Sequence, residues 1–135
     1  MMKKKLLFCL MAAVILLTAC KGGTLAAAFD EDEVKTSAQA LIQEFNKKNY
    51  EAIIDQGSDL MKSSLTLEQW HESVDSYVDK AGAFKRIEKE VVAGQQDNSK
   101  KDYAIYVAVA EYENSKIQFT ITFNTEMKVE QFLIQ

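Results

Sequence analysis

The sequence predicts an α+β domain whose helices pack on one face of a four-stranded antiparallel sheet. Between residues 34 and 78, apolar residues recur at spacings of three and four, which is the period of an amphipathic helix. Residues 83–134 contain four segments of strand character, and the third alternates apolar and polar side chains. The chain has 135 residues, of which 47% are apolar, so it suffices for one core and not for two. Helices followed by strands predict two layers.

The first helix is predicted to begin at the acidic run of residues 30–33. Carboxylates suit the positive end of a helix dipole, whereas four adjacent acidic side chains point in different directions and suit a bound cation poorly. The apolar stripe of this helix consists of Val34, Ala38, Leu41, Ile42 and Phe45. A short second helix is predicted from Tyr50 to Gln56, ending at Gly57, with Leu60 and Met61 in the loop beyond.

A longer helix is predicted to begin at a capping box, in which Gln69 follows the N-cap Thr66 by three residues. It is expected to end before Gly82. Its apolar face consists of Leu67, Trp70, Val74, Tyr77 and Val78. A helix of this length is not stable in water by itself, so we expect this face to pack against the sheet.

The strands are predicted at residues 83–93, 103–112, 117–123 and 127–134, with tight hairpins around residues 113–116 and 124–126. The third strand is expected to direct one set of side chains toward the helices and the other set away from them. The inward set is Ile117, Phe119, Ile121 and Phe123, and the outward set is Gln118, Thr120 and Thr122.

The second strand has two apolar faces. The face containing Tyr103, Ile105, Val107, Val109 and Glu111 is expected to point inward, so Glu111 is a candidate acid or base at the mouth of the fold. The opposite face is expected to be exposed, as a flat surface of small residues and tyrosines. Its candidate interface residues are Tyr106, Ala108, Ala110 and Tyr112, which are expected to bind a second copy or another envelope protein.

The N-terminus has the pattern of an exported protein. Three lysines at residues 3–5 precede twelve apolar residues, 6–17, which fits a signal peptide and is too short to span a bilayer. The next residues, Leu-Thr-Ala-Cys at 17–20, resemble the lipobox of bacterial lipoproteins. This resemblance implies cleavage before Cys20 and a diacylglycerol on its thiol; the alternative is an ordinary secretory signal with a chance cysteine.

We therefore expect a signal peptide at residues 1–19, a lipidated cysteine and tether at 20–29, and a domain at 30–135. The expected location is the outer face of a bacterial cell membrane. The nine tether residues after Cys20 would reach about 30 Å when extended.

The mature chain offers little for metal or redox chemistry. Cys9 leaves with the signal peptide and Cys20 is expected to be acylated, so no thiol remains for a disulfide or for zinc. His71 is the only histidine, and we expect neither a metal centre nor a cofactor. Removing the three signal lysines leaves 13 basic and 20 acidic residues, a net charge of −7. Such a charge disfavours nucleic-acid binding because it repels phosphates.

Three short segments resemble one protein family. Phe-Asn-Lys-Lys-Asn-Tyr at 45–50, Leu-Thr-Leu-Glu-Gln-Trp at 65–70 and Ala-Gly-Ala-Phe at 81–84 are similar to the DUF3887 group of the NTF2-like superfamily. The resemblance covers about residues 30–135. It implies a cone, formed by a strongly curved sheet around the helices, often with a pocket at its open end. It also implies an envelope lipoprotein, and it supplies no reaction.

NTF2-like enzymes place an Asp, or a His–Asp pair, inside the cone beside tyrosines. The weak candidates for that role here are Glu111 and His71, and each also suits a solvent-exposed position. Tyr50, Trp70 and Tyr103 are candidates for lining a pocket, although the first two also suit a packed core.

Three functions are compatible with the sequence. The domain binds a small apolar ligand in the cone, or it contacts a protein through its sheet, or it is an isomerase- or dehydratase-like enzyme using Glu111 or His71. An open pocket around a buried Glu111 would favour the enzyme. A cone filled by aromatic side chains would favour the interaction module. We favour a non-catalytic binding or interaction module.

Overall fold

The computed structural model describes residues 23–135, so the predicted signal peptide and Cys20 lie outside the described residues. Four helices precede four strands, and the fold is α+β as predicted. The helices are α1 (Glu31–Asn46), α2 (Tyr50–Asp55), α3 (Asp59–Ser64) and α4 (Leu67–Ala81). The strands are β1 (Phe84–Gln96), β2 (Asp102–Tyr112), β3 (Lys116–Phe123) and β4 (Val129–Ile134). None of the helices in this part of the chain has the length and hydropathy needed to cross a membrane.

The helix starts follow the local chemistry of the sequence. The Asp30 carboxylate accepts a hydrogen bond from the backbone N–H of Glu33, so the acidic run begins α1 as expected. Both hydrogen bonds of the capping box between Thr66 and Gln69 are present at the start of α4. One expectation was wrong: α3 forms where a loop was predicted, because the Ser58 hydroxyl caps a further helical turn.

The sheet is an antiparallel meander in which each strand pairs with the next along the chain. Its register places Ala104 opposite Phe123, Ala108 opposite Phe119 and Ala110 opposite Ile117. Residues opposite each other in a ladder share one face of the sheet, so these alanines lie on the same face as the apolar residues of β3. That face is covered by the helices and forms the core.

Aromatic rings fill the space between the helices and the sheet. The ring of Phe45 on α1 meets that of Phe119 on β3 edge-on, with centroids 5.0 Å apart. Phe132 of β4 lies 5.9 Å from both of these rings. Trp70 lies 5.8 Å from Phe132 and stacks on Tyr50 at 5.7 Å. All five side chains are buried, so aromatic packing occupies the interior of the fold.

The chain ahead of α1 packs on the domain, which differs from the expected free tether up to residue 29. Gly23 and Gly94 exchange two backbone hydrogen bonds of 3.0 and 2.8 Å, which adds an antiparallel bridge to the outer edge of β1. Leu25 and Ala26 pack against the core, and Phe29 is buried in it. Residues 23–29 are therefore a structural part of the domain.

Candidate functional site

The interior of the fold is occupied where a cone pocket was expected. Tyr50 and Trp70, two of the candidate pocket-lining residues, are buried members of the aromatic core. The third, Tyr103, lies on the opposite face of the sheet, where its hydroxyl donates a 3.1 Å hydrogen bond to Asp97 of the adjoining hairpin. The three residues thus do not meet around one cavity.

Glu111 does not point into the interior. Its carboxylate lies 2.5 Å from the guanidinium of Arg86 on β1, and 24% of its side chain is exposed. The expectation that it faces inward was wrong, because its neighbour Ala110 shares the core face with Ile117 and successive strand residues point to opposite sides. Glu111 is therefore ion-paired at the end of a strand and lies outside the apolar interior, where a catalytic acid or base of this fold would stand.

His71 belongs to a polar cluster on the outer side of α4. Its Nδ1 lies 3.1 Å from both carboxylate oxygens of Asp75, one helical turn later. The Tyr50 hydroxyl donates a 2.7 Å hydrogen bond to the same carboxylate. The hydrogen bonds from Tyr50 and then His71 hold the pKa of Asp75 below its usual range, since both favour the charged carboxylate. The His71 ring meets the Tyr50 ring edge-on, with centroids 4.8 Å apart.

The chemistry available to this cluster is limited. An Asp–His pair of this geometry can orient an imidazole so that its second nitrogen accepts a proton. The His71 side chain is 43% exposed, however, and the cluster lies outside the packed interior. Within residues 23–135 no three His, Cys, Asp or Glu side chains converge as metal ligands. The cluster is best explained as the hydrogen-bonding partner of a buried tyrosine.

The four residues expected to form an exposed interface are in the core. Tyr106, Ala108, Ala110 and Tyr112 are all buried, so the expectation that they form a contact surface was wrong. The register explains why: Ala108 faces the bulky Phe119 on the neighbouring strand, and a small residue leaves room for a large ring. Burial raises the pKa of both Tyr106 and Tyr112 above the usual tyrosine range.

The other face of the sheet, here called the open face, carries the exposed apolar surface. Each residue of its central row lies opposite the next on the neighbouring strand, and the row crosses all four strands. The row consists of Val91, Val107, Thr120 and Leu133. Val91 is 57% exposed and Val107 is half-buried, whereas Leu133, at the β4 end of the row, is buried with 7% of its surface exposed. An antiparallel sheet covered on one side usually presents polar residues on the other, so this apolar row is unusual.

The rows on the two sides of the central row differ in polarity: one has no charged residue, and the other leads to ion pairs at the end of the sheet. Ala93, Ile105, Thr122 and Gln131 form the next row toward the β1–β2 hairpin. In the other direction Val109 lies between Lys89 and Gln118, and the face ends at the ion pairs Arg86–Glu111 and Lys116–Glu88. The open face therefore has an uncharged middle and a charged rim at one end, which is the anatomy of a protein contact surface. The sequence of β2 shows two apolar sets of alternating residues, but only the β2–β3 register shows which set lies on the open face.

A separate cleft of about 370 Å³ lies at the surface between the C-terminal part of α4 and the start of β3. Its lining residues include Tyr77, Lys80, Ser115, Lys116 and Ile117. Lys116 is already paired with Glu88, and none of the candidate catalytic residues reaches the cleft. It is distinct from the interior pocket that the resemblance implied.

Comparison with known proteins identifies the family of this fold. The model of the family described as "Protein of unknown function (DUF3887)" matches residues 38–132. No curated protein matches the chain. A solution NMR structure of a protein from Ruminococcus gnavus is similar to this one, with a TM-score of 0.71 and 26% identity. That similarity covers 82% of this chain and 95% of the other.

Proposed function

Because this chain belongs to the DUF3887 family, whose description assigns no function, we propose a function from the geometry of its surfaces. The protein is a lipid-anchored, non-catalytic interaction module that binds a second copy of itself through the open face of its sheet. One observation carries the proposal: the central row has no charged residue, and it is exposed at Val91 and partly exposed at Val107 and Thr120. Contiguous apolar surface of this kind, rimmed by polar residues, is characteristic of contact sites.

The dimensions of the open face suit a dimer. Four strands about 4.8 Å apart span roughly 19 Å, and strands of about nine residues run for ~30 Å, so the projected area is roughly 600 Å². That area is below the roughly 800 Å² per partner of a standard interface, so the expected contact is a weak one. One face paired with the same face of a second copy gives a closed two-fold dimer.

The charge distribution favours the same partner. The mature chain, without the signal peptide, has 13 basic and 20 acidic residues and a net charge of −7, so two copies repel each other over most of their surfaces. The central row contains three aliphatic residues and a threonine, and so it presents no like charges to a second central row. The partly exposed valines on β1 and β2 lose contact with water when the rows meet, which supplies a driving force.

The proposed anchor strengthens a weak contact of this kind. The lipobox-like residues 17–20 support acylation of Cys20, and a lipid confines every copy to one membrane surface. Confinement raises the effective concentration of one copy around another, so a modest interface suffices for association.

The enzyme alternative, with Glu111 or His71 as acid or base, has less support. Glu111 is paired with Arg86 on the open face, and His71 is paired with Asp75 on the outer side of α4. The interior, where an isomerase or dehydratase of this fold would hold its substrate, contains packed aromatic rings. The same packing argues against a small apolar ligand in the cone.

The test is the oligomeric state of full-length protein purified from membranes in detergent, measured by light scattering with the detergent mass subtracted. We expect wild type to have twice the chain mass and Val107→Glu to have the mass of one chain, because the substitution buries a charge at the interface centre. Leu60→Glu is the matched control, since Leu60 is 67% exposed and lies on α3, outside the sheet. It should remain dimeric.

Val91→Glu provides a second variant at a more exposed position, in case Val107→Glu folds poorly. A wild-type protein that has the mass of one chain at every concentration would overturn the dimer, and so would a Val107→Glu protein that folds and stays dimeric. The anchor is tested separately by incorporation of labelled palmitate, which Cys20→Ser should abolish. Palmitate incorporation that persists in Cys20→Ser would refute the assignment of the lipid to this residue.

A further inference from the structure

We propose that the lipid on Cys20 holds the domain in one orientation, with the β1–β2 hairpin (residues 97–101) toward the bilayer surface. This end of the domain thus contacts the surface of a phospholipid membrane. The inference depends on the proposed lipid anchor, and it adds to that anchor a specific surface and a direction. It is carried by the bridge between Gly23 and Gly94 and by the short length of chain between that bridge and Cys20.

The bridge is built into the packing of the domain. A Cβ on Gly94 would lie 2.2 Å from the backbone oxygen of Thr24 and 2.8 Å from the Cα of Leu25, so only glycine permits the crossing. At the same crossing, two backbone hydrogen bonds join Gly23 to Gly94. Downstream, the buried ring of Phe29 secures the segment in the core. The chain is therefore held at Gly23.

The chain between the bridge and the anchor is short. Only Lys21 and Gly22 separate Cys20 from Gly23. Three Cα–Cα steps of about 3.8 Å span at most ~11 Å. That limit is about a third of the ~30 Å expected for a tether that runs free to residue 29. A domain that contains a strand of about 35 Å has little freedom to turn over on an ~11 Å connection.

The direction follows from the pairing. Gly23 pairs antiparallel with β1, so the N-terminal side of Gly23 faces the C-terminal end of that strand and the hairpin at 97–101. The hairpin at residues 124–128 lies at the same end of the sheet, because Phe123 pairs with Ala104. These two hairpins together form the membrane-facing end. The third hairpin, at residues 113–115, lies at the opposite end.

The charges of the membrane-facing end are compatible with lipid headgroups. Lys100, Lys101 and Lys128 provide three ammonium groups, against the three carboxylates of Asp97, Asp102 and Glu126. The Asp97 carboxylate accepts two backbone N–H groups of its own hairpin, at 2.8 and 2.9 Å, and so it is directed into the loop. On a mature chain of net charge −7, this end is close to neutral, so it repels lipid phosphates less than the rest of the surface does.

The orientation has a consequence for the proposed dimer. Two copies anchored at the same end of the sheet must be related by a two-fold axis along the membrane normal. Their open faces then pack with strands aligned, which is one of the two common geometries of packed sheets.

The test uses single-cysteine variants, because the mature chain has no cysteine besides Cys20. Ser99→Cys and Ser115→Cys are a matched pair: both serines are exposed in hairpins, at opposite ends of the sheet. The lipoprotein carrying a dye at either site is reconstituted into vesicles of phosphatidylethanolamine and phosphatidylglycerol that contain an acceptor-labelled lipid. Since β2 spans about 35 Å, we expect energy transfer to be several-fold stronger from position 99 than from position 115.

A flexible ten-residue linker inserted between Gly22 and Gly23 is the control, because it lengthens the connection without altering the packed domain. It should bring the two transfer values together. Equal transfer from both positions without the linker, in protein that floats with the vesicles, would overturn the orientation and leave the anchor standing. Protein that fails to float with the vesicles would overturn the anchor together with this inference.

Discussion

The hydroxyl of Tyr106 on β2 donates a 2.7 Å hydrogen bond to the carboxylate of Glu90 on β1. The side-chain amide of Gln39 on α1 donates a second, of 2.9 Å, to the same oxygen. Tyr106 is fully buried, while Glu90 lies at the exposed margin of the core face. One carboxylate therefore connects two strands and a helix at the edge where the N-terminal segment also packs.

Replacing Tyr106 with Phe removes the donor and keeps the ring. We expect the free energy of unfolding to fall by about 1 kcal/mol, the usual value of one hydrogen bond when its acceptor remains accessible to water. Urea denaturation followed by circular dichroism measures the change. Tyr77→Phe is the control, because Tyr77 is half-exposed on α4 and should change little. Equal effects of the two substitutions would contradict a stabilising role for the bond to Glu90.

The same carboxylate makes stability depend on pH. The hydrogen bond from Tyr106, followed by that from Gln39, lowers the pKa of Glu90 in the folded state. Its contribution is therefore present above the unfolded pKa of about 4.3 and is lost as the pH falls through the lower folded value. We expect Glu90→Gln to be less stable than wild type at pH 7, and the difference to shrink toward pH 3. A difference that is independent of pH, in urea titrations at both values, would exclude this linkage.

The hydrogen bond between Asp75 and Tyr50 should contribute more to the stability of the fold than the pair between Asp75 and His71. In Asp75→Ala, the hydroxyl of a buried tyrosine loses its acceptor, which should lower the free energy of unfolding by about 1.5 kcal/mol. His71→Ala breaks a half-exposed pair within α4 and should cost less than about 0.5 kcal/mol. Thermal and urea denaturation of the two variants provide the comparison. If His71→Ala were the more damaging change, the explanation of this cluster as a support for Tyr50 would be wrong.

The aromatic filling of the interior also has a measurable consequence. Phe119→Ala removes a ring in contact with Phe45 and Phe132, and we expect it to lower the free energy of unfolding by about 3–5 kcal/mol. Leu60→Ala, at an exposed position on α3, should change it by less than about 0.5 kcal/mol. A small loss for Phe119→Ala, measured by urea denaturation, would mean that the interior is less tightly packed than described.

Much of the helical layer could be predicted from the sequence because its signals are local. Val34, Ala38, Leu41, Ile42 and Phe45 were expected as the stripe of the first helix, and they are its buried residues. The capping box at Thr66 marks the start of α4 as expected. Such features depend on residues three or four positions apart, which the helix itself brings together. Ser58, whose cap begins α3, was missed because its signal is a single hydroxyl.

The candidate site residues on β2 were assigned to the wrong face of the sheet. The two faces of β2 are both apolar, so alternation along the strand does not say which one is buried. The choice depends on register, because a shift of one residue exchanges the faces. With Ala108 opposite Phe119, the tyrosines and alanines of β2 lie in the core, and Val107 and Glu111 lie outside. Pairing Ile117 with Ala110 across the short hairpin would have predicted this from the sequence.

The sequence alone determined the class of the fold, the starts of α1 and α4 and the alternation of β3, since each of these depends on neighbours along the chain. Only the tertiary structure decided that aromatic rings fill the space between the helices and the sheet. It also decided that Glu111 pairs with Arg86 and does not line a pocket, and that Gly23 pairs with Gly94. Those relationships join residues from separate elements, whose distances follow from side-chain volume and strand register. The contact at Gly94 is a plain case: the glycine is conspicuous in a strand, but the segment that needs its missing Cβ lies 70 residues earlier.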